Sequence, residues 1–462
     1  MGQTRNLEQT VDFLGFLRSQ LNGLQGIPTL CYELIQNADD VRDEAGNPAA
    51  ERITFDVCDD ALWVENDGVF REIDFERMQR ISWGNKREEA GTTGAFGIGF
   101  VSVYQITDTP EIFSSSRHWV FHPEVEESRR IEEEDVETQF TRFRLPWAFE
   151  VTQVRKELRI PPVGRSKLDD ITAEISQAVE NAALFLKQIR VLEVKRNGRL
   201  VRRIEVLKED DVYLLADGDK TIRWRILRGD FSETAENMRR RYGELIEEKR
   251  RATVELAVPE TPLTNGLLYA FLPSETSTGL PFHINADFYP SPDRKRILLD
   301  EDYKSEWNGL ALECAAEILA SNVQSLLELF DIPTFWNFVQ RTKDACEDGP
   351  LADRLPDFWE ILKPEIKNER VVLDAGGKRL RPGEVYYPRQ KEQANATEIL
   401  EELGLPIVHP DLNSYQNLLT LVGVRVLRLS HIVDALRTRG LTQRTELSSM
   451  AAHLQTIDGW EK

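Results

Sequence analysis

Tyr32-Glu33-Leu34-Ile35-Gln36-Asn37-Ala38-Asp39-Asp40 reads as a helix with two different faces. Leu30, Leu34, Ala38 and Val41 recur at helical spacing and face a core, while Glu33, Asn37 and Asp40 fall at i, i+4 and i+7 on another stripe. A carboxylate, a carboxamide and a second carboxylate in a row form a polar strip. On an ordinary amphipathic helix such a strip is a solvated face, so its meaning depends on what accompanies it.

Downstream stands Gly94-Ala95-Phe96-Gly97-Ile98-Gly99-Phe100, three closely spaced glycines ahead of the apolar run Val101 to Ile106. Glycine lets backbone amides approach a ligand and adopts positive φ, so a glycine cluster leading into a helix can cradle phosphate at the helix's positive end. The plain alternative is a tight turn. Between the two stretches lies Glu65-Asn66-Asp67-Gly68, a turn signature directly after an alternating strand. Ser82 to Thr93 is polar and lacks periodicity, as a mobile lid would be, and Lys86 within it is either a phosphate counter-charge or a solvated lysine.

In this order and spacing the three pieces resemble the Bergerat (GHKL) ATP-binding fold of the ninety-kilodalton heat-shock chaperone, gyrase, MutL and histidine kinases. The narrower likeness is to sacsin-type repeats, carried by ELIQNADD and GAFGIGFVSVYQITDTP and extending less specifically to the tail, from GEVYYP to LGLPIVHP. The resemblance implies ATP and Mg2+ as ligands. Asn37 would ligate the magnesium, Glu33 would activate water, and Asp40 would support the network around the nucleotide. Gly94, Gly97 and Gly99 would give amides to phosphate, with Phe96, Ile98, Phe100 and Lys86 in the same cradle. The family's adenine reader is an aspartate before the glycine of an Asp-x-Gly turn. Here Asn66 holds that place with Asp67 next to it and Gly68 following, and the sequence leaves open which of the two accepts from adenine. Phe70 stands near the family's missing second glycine.

Outward from these motifs, 462 residues exceed one typical core. The expected division is a nucleotide-binding domain over 1–163, a middle domain over 164–330 and a C-terminal α/β region over 331–462. A helix is expected from Pro28 to about Glu44, a strand-like piece over Glu111 to Phe121, an acidic exposed loop from Glu124 to Asp135, and a long helix from Leu168 to Ile189. Asn197-Gly198 and Asp217-Gly218 are hairpin turns between strands. The stretch Gly279 to Arg296 reads as a strand and a proline-punctuated basic loop. It resembles the sacsin-type strand and loop, and in the heat-shock chaperone the matching loop ends in an arginine that reaches the γ-phosphate. Arg294 is the matching position.

A formal charge of −21, from 58 basic and 79 acidic residues, argues against general affinity for nucleic acid or anionic membrane. Four scattered cysteines suit a reducing compartment, and the first residues carry no apolar signal core, so a cytoplasmic protein is expected. The fold expected is α+β: a Bergerat-type sandwich, a mixed α/β middle domain and a smaller C-terminal region. The function expected is that of a slow, chaperone-related ATPase using lid and domain closure to control client or partner proteins, with an ATP-dependent homodimer left open. A nucleotide-gated switch in a defence or DNA-processing assembly, and an ATP-binding scaffold without hydrolysis, are the alternatives.

Overall fold

The computed structural model describes residues 12–79, 99–291, 293–300, 302–388 and 397–438. Lys86, Gly94, Phe96, Gly97 and Ile98, with the rest of the segment 82–93, lie outside the described residues. The architecture is mixed α/β, with helices packed on one long, largely antiparallel sheet.

Helix α1 (Phe13–Leu21) starts at Asp12, whose carboxylate accepts from Gly15 N at 2.9 Å. Helix α2 (Ile27–Asp39) follows Gly26, which sits at φ 107, and takes Pro28 in its first turn. The helix ends at Asp39, five residues short of the expected Glu44. Beyond it Arg42 bridges Pro48, and Asp43 Oδ1 accepts from Asn47 N at 2.7 Å, closing a loop over Gly46 at φ 83. Asp39 is itself committed elsewhere, as described below.

Strands β1 (Arg52–Val57) and β2 (Ala61–Asn66) form the expected hairpin, followed by α3 (Glu72–Gln79). The run after the glycines is a tight 3-10 helix, Gly99–Gln105. Residues 111–121 fold as two strands, β3 (Glu111–Ser114) and β4 (Arg117–Phe121), turning at Ser115 with φ 54. Part of the expected acidic loop is an edge strand, β5 (Ile131–Asp135), because β4 supplies partners for its carboxylates. Trp119 Nε1 donates to Glu133 at 2.5 Å and His118 lies 3.4 Å from Glu134. Strand β6 (Thr141–Pro146) and helix α4 (Gln153–Leu158) complete this part.

Helix α5 (Leu168–Ala182) ends earlier than expected, giving way to a 3-10 turn at Ala183–Phe185. Four strands meander next: β7 (Val191–Arg196), β8 (Arg199–Glu209), β9 (Val212–Asp217) and β10 (Lys220–Asp230). Asn197 at φ 50 and Gly198 at φ 75 make the first turn the left-handed kind that Asn-Gly favours. Strand β7 pairs in parallel with β1, Arg52 opposite Val191 through Val57 opposite Arg196, so the sheet runs on without a break. After α6 (Ser232–Tyr242) come β11 (Thr253–Pro259), β12 (Leu267–Ala270), β13 (Leu272–Ser277) and β14 (His283–Ala286). The fourteen strands lie in the order β13-β12-β14-β11-β10-β9-β8-β7-β1-β2-β6-β3-β4-β5.

Helices α7 (Tyr303–Ser321), α8 (Val323–Leu329), α9 (Ile332–Asp348) and α10 (Phe358–Asn368) form a second core with β11 and β14. The sequence reading missed α10, whose pattern is interrupted by Pro364 inside the helix. Among the described residues no single helix is long and apolar enough to cross a membrane.

Candidate functional site

The polar strip of α2 is not a solvated face. Glu33, Asn37 and Asp40 are only 6%, 8% and 3% exposed. Burying carboxylates in this way requires partners, and Glu33 finds one from far along the chain: its Oε1 lies 2.7 Å from Arg294 Nη1. The same Nη1 donates to Gln36 Oε1 at 2.7 Å. On the other side, a Cβ placed on Gly99 would come within 1.7 Å of Glu33 Oε2, so any larger residue there would require the carboxylate to shift. Glu33 is thus held between the end of the glycine stretch and the arginine loop.

The arginine loop is rigidly built. Arg294 itself adopts φ 56, a left-handed conformation that costs a non-glycine residue energy and must be enforced by its surroundings. Arg294 N donates to Ser291 O at 2.8 Å, Ser291 N donates to Arg296 O at 2.7 Å, and Pro290 bridges Ile297. The base is bolted to α7 by fully buried Asn308, which accepts from Tyr289 N at 2.8 Å and donates to Leu298 O at 2.7 Å. Between α2 and this loop lies a cavity of about 360 Å3, with Tyr32, Glu33 and Gln36 on one wall and Phe271, Phe288 and Arg294 on the other.

Asn37 is buried and has no side-chain hydrogen bond among the described residues. Ser102 Oγ, in the 3-10 turn packed on α2, is buried and unpartnered among the described residues as well. Phe100 is buried against Phe121 and Phe143. The turn after β2 separates its two candidate readers. Asn66 is buried, with Oδ1 accepting from Gly68 N at 3.0 Å, whereas exposed Asp67 accepts from Glu51 N at 2.8 Å and Arg52 N at 3.0 Å, capping the start of β1. Gly68 has its own steric reason, since a Cβ there would stand 2.7 Å from Val41 Cγ1. Asp40 is the C-cap of α2 and acts electrostatically on Lys187.

Two residues of α2 that sequence reasoning passed over do visible work. Gln36 steadies Arg294, and the signal was its place one turn from Glu33. Asp39 accepts from three successive backbone amides, Lys187 N at 2.9 Å, Gln188 N at 2.7 Å and Ile189 N at 2.9 Å. No local pattern reveals such a partner.

Residues 11–141, which contain every α2 and turn residue just described, match the family model of the Sacsin domain. This segment of the chain is sacsin-like. Human (Homo sapiens) Sacsin is 31% identical over 122 residues, which make up 24% of this chain and 3% of that protein. Protein NO VEIN of Arabidopsis thaliana is 25% identical over 358 residues, 72% of this chain and 12% of the relative. The chain therefore spans a small fraction of the length of either relative. Arg294 lies outside the sacsin-matched residues. Among solved structures, the N terminal domain of a DNA repair protein overlays with a TM-score of 0.37 at 10% identity, covering 68% of this chain and 98% of that one, a likeness too distant to carry an argument.

Proposed function

We propose that this sacsin-related chain binds ATP against the inner face of α2 in a Bergerat-type site and hydrolyses it slowly, as part of a chaperone-related cycle acting on client or partner proteins. The observation that supports this reading is the convergence on Glu33. A buried carboxylate, a glycine whose bare backbone packs against it, and an arginine from the loop after β14 meet around one side chain. Structural ion pairs rarely require a neighbouring glycine and a strained loop at once, and such strain concentrates at functional sites.

The donor set fits a magnesium nucleotide. Asn37 offers a carboxamide oxygen with no partner among the described residues, which is the group that would hold Mg2+, and the ion when bound neutralises phosphate charge. Asn66 is the inward member of its pair, and its Oδ1 keeps a lone pair after accepting from Gly68 N, so it would accept from the adenine amino group. Glu33 would orient or deprotonate water. Its Oε1 is engaged by Arg294, so water meets the carboxylate at Oε2 or after the arginine has moved. Arg294 is 41% exposed at its side chain and tethered through side-chain contacts to α2, so it is free to exchange them for the γ-phosphate when nucleotide enters. In this scheme nucleotide arrival frees Glu33 and recruits Arg294 in one movement.

Titration with ATP and magnesium, following binding and phosphate release together, tests the proposal. Saturable binding with slow release supports it; binding without release leaves an ATP-holding scaffold, and no binding removes the reading altogether.

A further inference from the structure

A second cavity, of about 400 Å3, opens between the segment after α5 and strands β8, β10 and β11. Its size is that of a small-molecule site. Lys187, Arg190, Lys208, Arg228 and Arg251 all reach it, an unusual gathering in a chain whose net charge is −21. Two carboxylates also line it, and both are spent. Glu255 accepts from Arg228 Nε at 3.0 Å and from Asn285 Nδ2 at 2.9 Å. Asp287 accepts from Arg250 Nη1 at 2.9 Å and from the backbone N of Arg251 at 3.0 Å.

Lys208, Arg190 and Arg251 lack a carboxylate in ion-pair contact among the described residues. Lys208 donates only to Leu186 O and lies 4.5 Å from the Tyr213 ring centre. Arg190 donates to the backbone oxygens of Ile189 and Lys187. Arg251 stacks 4.3 Å from the centre of Phe271. Lys208 and Arg190 are half-buried, and burial followed by the nearby Arg190 pushes the Lys208 ammonium down to about 8. Five cations share this partly desolvated cup with two carboxylates that are already hydrogen-bonded, an excess of positive charge that is costly and that a bound anion relieves.

We infer that this cavity is a binding site for a small soluble polyphosphate-type anion, held by Lys208 and Arg190 within and by Arg251 at the rim. Guanidinium forks match phosphate oxygens in pairs, and a lysine adds a point charge, so this set suits phosphate better than a single carboxylate. The chain's overall negative charge opposes docking on an anionic lipid surface, which leaves a ligand small enough to enter the cup. The site adjoins the first cavity, sharing Phe271 and Asp287 with it, but neither Glu33 nor Arg294 lines it, and the proposal holds whether or not that cluster binds ATP.

Isothermal titration of the full chain with inorganic tripolyphosphate, without magnesium at low ionic strength, tests the assignment. Saturable binding is expected. Lys208→Met and Arg190→Gln each should weaken it by about tenfold or more, the value of one charged hydrogen bond. Arg251→Gln, at an exposed position where folding is not at risk, should weaken it measurably too. Arg223→Gln, an exposed cation that does not line the cavity, and Asn37→Ala, in the candidate nucleotide site, should leave it unchanged. Citrate should bind much more weakly. No saturable binding, binding indifferent to both Lys208→Met and Arg251→Gln, loss of binding in Asn37→Ala, or equal affinity for citrate would each overturn the proposal.

Discussion

Glu33 Oε1 and Arg294 Nη1 stand 2.7 Å apart, a contact that ties the middle of α2 to the loop following β14. The two ends of this ion pair are unequal. Glu33 is 7% exposed at its side chain and walled in by Gly99, whereas Arg294 is 41% exposed and shares its guanidinium with Gln36. When the pair opens, the arginine is the member that moves. Because one partner is buried, the cost of desolvating Glu33 offsets much of the attraction, and the value of the pair lies in where it puts Arg294: beside the carboxylate proposed to act on water, and already within the site it is proposed to complete.

Glu33→Ala is expected to retain nucleotide binding and lose phosphate release, because the phosphate cradle survives the loss of the carboxylate. Asn37→Ala is expected to weaken the magnesium dependence of binding itself. Filter binding and a phosphate-release assay on the two variants distinguish these outcomes, and wild-type turnover in Glu33→Ala would remove Glu33 from the catalytic role.

Arg294→Ala should slow phosphate release on the order of 10²-fold, as loss of a donor to developing charge does elsewhere, with little change in nucleotide affinity. Arg296→Ala is the control. It lies two residues along the same loop, is exposed, and makes no ion pair with α2. Equal slowing in both variants would mean that the loop acts only as a basic surface.

His283 predicts a loss of stability in mild acid that has nothing to do with the site. Its Nδ1 accepts from Leu267 N at 3.0 Å, and its ring stacks 5.5 Å from Trp224, so the folded state needs the neutral imidazole. Burial holds its pKa down at about 4, against the ordinary 6.5 of a free imidazole. The folded state is favoured in full above pH 6.5, and because the unfolded chain takes up the proton first, stability falls as pH drops from 6.5 to 4. The loss reaches about 3 kcal/mol at most. Urea unfolding across this range checks it: His283→Gln, which cannot titrate, should flatten that part of the profile.

Elements with local causes were legible in the sequence. The Asn197-Gly198 turn, the β1–β2 hairpin and the two-faced α2 follow from φ preferences and apolar spacing that a few neighbouring residues carry. What stayed hidden depends on distant partners. Both α2 and α5 end sooner than their sequence patterns suggest, and the chain beyond α5 is held instead by Asp39, whose partner amides lie 148 to 150 residues away. Edge strand β5 was hidden because a run of acidic residues reads as loop until His118 and Trp119 are placed across from it. That Asp67 is occupied by the Glu51 and Arg52 amides was likewise hidden, because only the fold brings them to it.

Asp39 carries the most demanding structural prediction. Its Oδ1 accepts from Gln188 N and Ile189 N, and its Oδ2 from Lys187 N, at a position only 4% exposed. Directly after these amides, Arg190 N and Val191 N both donate to Glu51 O, at 2.7 and 3.1 Å, and the parallel pairing of β7 with β1 begins. A parallel pair needs a long crossover, here through α4 and α5, and Asp39 clasps the returning chain at the point where it must enter the sheet. Asp39→Ala leaves three donors without their acceptor in a buried setting, a loss expected to reach about 3–5 kcal/mol once the strongest of these charged hydrogen bonds are gone. Asp39→Asn keeps one oxygen for Gln188 N and Ile189 N but turns an amide group toward Lys187 N, so it should lose about 2 kcal/mol. Urea denaturation of the two variants measures both values. A loss below about 1 kcal/mol in Asp39→Ala would show that water replaces the carboxylate at little cost, and that the crossover is held by the packing of α5 on α2 instead.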